Sequence, residues 1–179
     1  MITPLFIYFA QYPSRQGTLA LATKGTSTLP DYALLIDALN ALGDDRRIAG
    51  LDHYVFAQDI DDIAQRIDRL TGSFLFVDYG DIRLTANHPR HALAQQRIAA
   101  TIAQRIPDSA DPLERLIHSQ QALDMLRTLH AHIVNDAEDG TPPLHLSRDT
   151  ILDADITPFA SPELHAYGWT LLLEMKNEE

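Results

Sequence analysis

Apolar positions along this chain come in blocks whose spacing switches between extended and helical periods. Leu5-Phe6-Ile7-Tyr8-Phe9-Ala10 is an unbroken apolar run that predicts a strand over residues 1–10, and the weak alternation from Thr18 to Thr23 predicts a second. Leu35, Leu39 and Leu42 form a stripe, so a helix is expected over 29–42, with Thr28 and Asp31 as a capping pair, Pro30 in the first turn and Gly43 as its stop. His53–Ala57 reads as a strand. Behind Asp59, the residues Ile60, Ile63, Ile67 and Leu70 lie on one helical face, and Gly72 ends that helix. Asp61 and Asp62 in its first turn and Arg66 and Arg69 in its last complement the helix dipole.

Ser73-Phe74-Leu75-Phe76-Val77 is apolar at every position, as in a strand covered on both faces. Ile82–Ala86 alternates again, and the Asp78-Tyr79-Gly80-Asp81 segment predicts a hairpin turning near Gly80. Residues 92–106 fit helix or strand. The longest element is a helix over 111–139: Asp111 caps it, Pro112 opens it, Glu114 completes the capping box, and Gly140-Thr141-Pro142-Pro143 ends it. Leu113, Leu116, Ile117, Leu123, Leu126, His130, Ile133, Val134 and Ala137 form its apolar stripe. At about 1.5 Å per residue it spans on the order of 40 Å, enough to cross a sheet. Leu144–Ser147 and Ala166–Met175 read as strands, with an extended, proline-punctuated Thr157–Pro162 between them. The expected fold is a single α+β domain over 1–179: a mixed, mainly antiparallel sheet covered by about three helices, one of them long.

Composition narrows the function. With 14 Lys+Arg against 25 Asp+Glu the net charge is −11, and the basic residues are scattered, which argues against nucleic acid and against anionic membrane as partners. The absence of cysteine removes disulfides, thiolate metal sites and cysteine nucleophiles, and suits a cytoplasmic protein. The N-terminal apolar run is too short for a spanning helix and has no basic residue before it, as a signal peptide would.

Candidate chemistry is sparse. His88 and His91 flank Pro89-Arg90 in an expected loop, whereas His130 and His132, two apart on a helix, point to different sides and cannot chelate one ion. Asp59, Asp61 and Asp62 are explained by capping and dipole, and Asp78 and Asp81 by turn chemistry. The chain has no G-x-S-x-G, Walker or G-x-G-x-x-G motif, so no catalytic, cofactor-binding or metal-binding residue is assigned. Residues left for an interface are Tyr8, Tyr12 and Trp169, each either core or contact anchor, and Glu138 and Asp139, whose charge is unfavourable at a helix C-terminus.

From Ser73 to Met175 the chain resembles small structural proteins of phages and prophage-like elements, of the tail-completion or head–tail joining kind. The resemblance is carried by the apolar strand into Asp78-Tyr79-Gly80-Asp81, one long crossing helix, and a final Tyr167-Gly168-Trp169 strand behind the Pro158–Pro162 segment. It implies a non-enzymatic assembly subunit without cofactor. Its partners would be copies of itself, arranged as a ring or other homo-oligomer, and other structural proteins of a phage-like particle. Two other classes stay open. One is a small-molecule-binding or regulatory domain with a pocket between long helix and sheet, lined by residues such as Phe74, Phe76 and Trp169; the other is an enzyme using the loop histidines.

Overall fold

The computed structural model describes residues 2–22, 27–43, 47–58, 70–80, 82–88, 91–107, 109–140, 154–162 and 164–178. The predicted helix behind Asp59 and the predicted strand at Leu144–Ser147 lie outside these residues. The elements are α1 (Ile2–Ala10), α2 (Arg15–Ala22), α3 (Pro30–Ala41), β1 (His53–Ala57), β2 (Ser73–Asp78), β3 (Ile82–His88), β4 (His91–Arg105), α4 (Pro112–Glu138), β5 (Asp155–Ser161) and β6 (Ala166–Glu178). The fold is α+β, with a six-stranded sheet in the order β1-β2-β4-β6-β5 and β3 paired to β4. Among the described strands, β1 and β2 run parallel and the other pairs are antiparallel.

Residues 92–106 resolve as strand, because β4 occupies the centre of the sheet. Its register places Ile102 between Leu75 of β2 and Trp169 of β6, and Ala103 between Phe74 and Gly168. Alternation across a pleat therefore sends Leu75, Ile102 and Trp169 to one face and Phe74 and Ala103 to the other. Each face buries an apolar cluster. The first packs under α1 and α4 with Leu5, Tyr8, Phe9, Leu126, Leu129 and Ile133, while the second gathers Val55, Leu70, Phe74, Phe76, Leu164 and Ala166.

The expected turn at Gly80 is instead a bulge. Asp78 pairs with Ala99 and Ile82 with Gln96, so three residues on one strand oppose two on β4, and β2 and β3 run on as one interrupted strand. Gly80 has φ of +51°, and a β-carbon there would lie 2.2 Å from the Arg97 carbonyl oxygen. Asp78 accepts from the Gly80 amide at 2.8 Å, and the buried Gln96 amide donates to the Tyr79 carbonyl at 2.8 Å. The hairpin closes later, between His88 and His91, which are register partners.

Both predicted N-terminal strands are helices. In α1 the buried residues Leu5, Tyr8 and Phe9, followed by Tyr12, keep the spacing of one helical face, a signal masked by the neighbouring Phe6 and Ile7. Those neighbours also pack: the Phe6 ring lies 5.5 Å from Tyr54 and 5.3 Å from Phe56. Ser14 begins α2, its hydroxyl accepting from the Gly17 amide at 3.1 Å and donating to the Asp52 carbonyl at 2.6 Å. In α3 the predicted Thr28–Asp31 cap is absent; Leu29 is the N-cap, without a side-chain bond, and Pro30 occupies the first turn as expected.

The long helix matches its prediction, with Asp111 accepting from the Leu113 and Glu114 amides at 2.8 and 2.9 Å. Its buried stripe is Ala122, Leu126, Leu129, Ile133 and Asp136. The expected stripe members Leu113, Leu116 and Ile117 are instead exposed, by 70%, 65% and 57%. None of the helices among the described residues is long and apolar enough to cross a membrane.

Gly17 tests the packing of α2 against the start of β1. Helix propensity alone makes Gly17→Ala stabilising by about 1 kcal/mol. A β-carbon at Gly17, however, would sit 1.8 Å from the Asp52 carbonyl oxygen, so backbone must move. The expected outcome is a net loss of about 1–3 kcal/mol, read from the midpoint of urea unfolding; an unchanged or higher midpoint would contradict this packing.

Candidate functional site

The densest polar chemistry among the described residues lies inside the helical layer, where α1, the segment before β1 and the end of α4 meet. Asp136 is accepted into the apolar stripe of α4 because three partners reach it. The Arg47 guanidinium forks onto the carboxylate, one nitrogen 2.8 Å from Oδ2 and the other 3.1 Å from Oδ1. Tyr8 donates to Oδ2 at 2.8 Å, and Tyr12 donates to the Tyr8 hydroxyl at 2.7 Å and to Asp136 at 3.4 Å. The Arg47 guanidinium carbon lies 5.4 Å from the centre of the Tyr12 ring, and His132 packs on the same ring at 5.9 Å. The geometry is that of a charge-assisted, bidentate pair, closed by two phenols.

The electrostatics say what this cluster does. Burial would push the Asp136 carboxyl up, but the hydrogen bonds from Arg47 and Tyr8 outweigh it and hold the carboxyl below its ordinary value of 3.8. Hydrogen bonding to Asp136 pushes Arg47 up. Burial, first of all, pushes Tyr8 and Tyr12 far above the ordinary phenol value of 10. A general acid or base works best with a pKa near the operating pH. Here each of these groups moves away from neutrality, so the cluster locks charge and hydrogen bonds in place.

Of the sequence-selected residues, Tyr8 and Tyr12 meet in this cluster and the others lie apart from it. Tyr8 and Tyr12 are 4% and 0% exposed, members of the core cluster. Trp169 is partly buried, and its ring N–H donates to the Ser119 carbonyl at 3.1 Å and hydroxyl at 3.2 Å, docking α4 on β6. Glu138 and Asp139 are exposed at the C-terminal end of α4, far along the chain from Trp169. The side chains of His88 and His91 and the Asp59, Asp61, Asp62 and Asp81 positions lie outside the described residues. Among the described residues no three His, Asp or Glu side chains gather as metal ligands. The pocket expected beneath the long helix is corrected by the register: Phe74 and Phe76 belong to one sheet face and Trp169 to the other, so the three cannot line one cavity.

A cleft lies elsewhere, between α1, α2 and α3. It encloses about 260 Å³ and shares Arg47 with the buried cluster. Neither Arg47 nor Asp136 was singled out in the sequence. Arg47 is one of the scattered basic residues, and the only signal for Asp136 is an acid falling on the helix's apolar face, three residues after Ile133.

Comparison with protein-family models, with curated proteins and with solved structures finds no match.

The cluster predicts a pH window. Because the folded Asp136 carboxyl titrates below its unfolded value, the tie contributes fully above about pH 4 and is lost as the pH falls through the folded value. The raised phenols act at the other end: their contribution is complete below pH 10 and is lost as the pH climbs beyond it. Asp136→Asn leaves one oxygen acceptor but no charge for Arg47. Since the Arg47 side chain is 33% exposed, the expected cost at neutral pH is about 2–3 kcal/mol, below that of a fully buried pair. Urea unfolding from pH 3 to 8 should show the variant losing much of the acid dependence of the parent; parallel curves for the two proteins would contradict the assignment.

Proposed function

We propose that this chain is a non-enzymatic assembly subunit of the phage-like tail-completion or head–tail joining kind, acting through contacts with copies of itself and with other structural proteins. The observation that carries the reading is the first two turns of α4. Leu113, Leu116 and Ile117, at the spacing of one helical face, are 57–70% exposed on a helix whose remaining stripe is buried. The helix is held there by its own contacts to the sheet, with Trp169 bonded to Ser119 and the Arg115 guanidinium 6.0 Å from the Tyr167 ring. Aliphatic groups presented in this way favour contact with a partner.

The order of elements supports the same reading: a long interrupted strand, a hairpin, a crossing helix and a final long strand. Ring closure by head-to-tail contact needs two unlike patches. Leu172, 44% exposed on the opposite sheet face, supplies a second apolar position. Strand addition along β5 is a poorer route, because Pro158 in the middle of that outer strand has no N–H to offer. The charge of −11 keeps free copies apart until complementary patches meet.

Light scattering on the chain alone, and mixed with the purified products of adjacent genes, tests this. The expected result is a discrete complex that Leu116→Glu with Ile117→Glu abolishes, while thermal unfolding changes little because both sites are exposed. A parent chain that stays monomeric in every mixture at on the order of 100 μM, weaker than about −5.5 kcal/mol, would contradict the proposal.

A further inference from the structure

Asp139, at the C-terminal end of α4, is not used by the assembly reading. Gly140 follows it, and Asp139 is the one Asp or Asn in the chain with glycine after it. Both residues are exposed, and a β-carbon at Gly140 would meet no atom of the described residues within 4 Å. We propose that Asp139-Gly140 is a self-modifying site, where aspartate converts to isoaspartate as the last turn of α4 opens, and that the Arg47–Asp136 tie holds the rate of conversion down.

The chemistry needs no co-reactant but water. The Gly140 amide nitrogen attacks Cγ of the neutral Asp139 carboxyl, and the new C–N bond closes a five-membered succinimide. The amide proton leaves with the carboxyl hydroxyl as water. Water then adds to either ring carbonyl. Opening at Cγ restores aspartate, whereas opening at the main-chain carbonyl leaves the chain running through the β-carboxyl, with a free α-carboxylate. The water lost on closure is regained on opening, so mass and charge are unchanged and nothing is oxidised or reduced. Glycine at the second position favours the attack, because it lets the backbone approach closely.

The folded backbone opposes ring closure. Asp139 has φ of −78° and ψ of −2°, and closure needs its β-carbon and the Gly140 nitrogen nearly eclipsed, a rotation that leaves the helical range. Two hydrogen bonds hold this turn: the Asp139 amide donates to the Asn135 carbonyl at 3.0 Å, and the Gly140 amide to the Ala137 carbonyl at 3.3 Å. One turn before Asp139, the Asp136 side chain is pinned by Arg47 and Tyr8. Helix ends are among the parts of a fold that open most readily. The turn that must open here is the one that the buried cluster fastens. Isoaspartate lengthens the main chain by a methylene, so once formed it puts both hydrogen bonds out of register.

Ageing the full chain in warm, neutral buffer tests the proposal. Isoaspartate is read in the tryptic peptide Thr128–Arg148 as a chromatographically shifted species of unchanged mass, and electron-transfer fragmentation separates conversion at Asp139 from conversion at Asp136. The folded parent should accumulate isoaspartate at Asp139, and Asp139→Glu, whose ring would need six members, should not accumulate the corresponding isomer. Conversion should be about fivefold or more faster in Arg47→Met than in the parent, and faster still in the parent unfolded in guanidinium chloride. Circular dichroism checks that Arg47→Met folds; if it does not, Arg47→Lys, which keeps the charge but loses the fork, takes its place. An aged, folded parent without isoaspartate at Asp139 would overturn the site. A folded Arg47 variant that converts no faster than the parent would overturn the control by the tie.

Discussion

A carboxylate inside an apolar helix stripe is stable only where its charge is answered, and in this protein Arg47 answers Asp136. The pair joins positions 89 residues apart, and Tyr8 extends the link to 128 residues, so α1 and the segment entering β1 are fastened to the end of α4. The helix macrodipole places negative potential at that end, and no basic residue of α4 itself lies in its last turn. Compensation has to come from elsewhere in the chain, which makes the tie long-range. Truncating one partner is costly because it leaves the other desolvated, whereas an apolar pair of matching shape could substitute for both.

This tie also accounts for how the two layers are organised. The sheet buries an apolar cluster on each face, and on the helical side Leu126, Leu129 and Ile133 of α4 supply non-directional attraction. Such attraction does not set how α1 lies relative to α4. The fork on Asp136 and the two phenols do, by hydrogen bonds with defined lengths and directions. With the Arg47–Asp136 pair committed to holding the interior, the protein presents apolar groups on the outside, in the exposed first turns of α4.

Legibility from sequence followed the range of the interactions involved. The α+β class, the long helix with its Asp111 cap, and the strands at His53, Ser73 and Ala166 were readable because local spacing and capping determine them. The N-terminal run reads as a strand because Phe6, in contact with Tyr54 and Phe56, and Ile7, packed against the core, are apolar as well and hide the helical spacing of Leu5, Tyr8 and Phe9. Gly80 looked like a turn because Asp and Gly serve a bulge as well as a hairpin; only pairing with β4 separates the two. Of the cluster only Tyr8 and Tyr12 stood out, as core or contact anchors, and not their meeting with Arg47 and Asp136. The tyrosine pair, Arg47 and Asp136 are far apart along the chain, and no local pattern marks residues that meet only after folding.

A double-mutant cycle on Arg47 and Asp136 reaches the centre of this account most directly. Unfolding free energies would be measured for Arg47→Met, Asp136→Leu and the pair together. Each single variant should be strongly destabilised, and the double variant should recover a large part of the loss, with a coupling of about 2 kcal/mol or more. A coupling near zero, with the two losses simply additive, would mean that the pair does not fasten the helical layer.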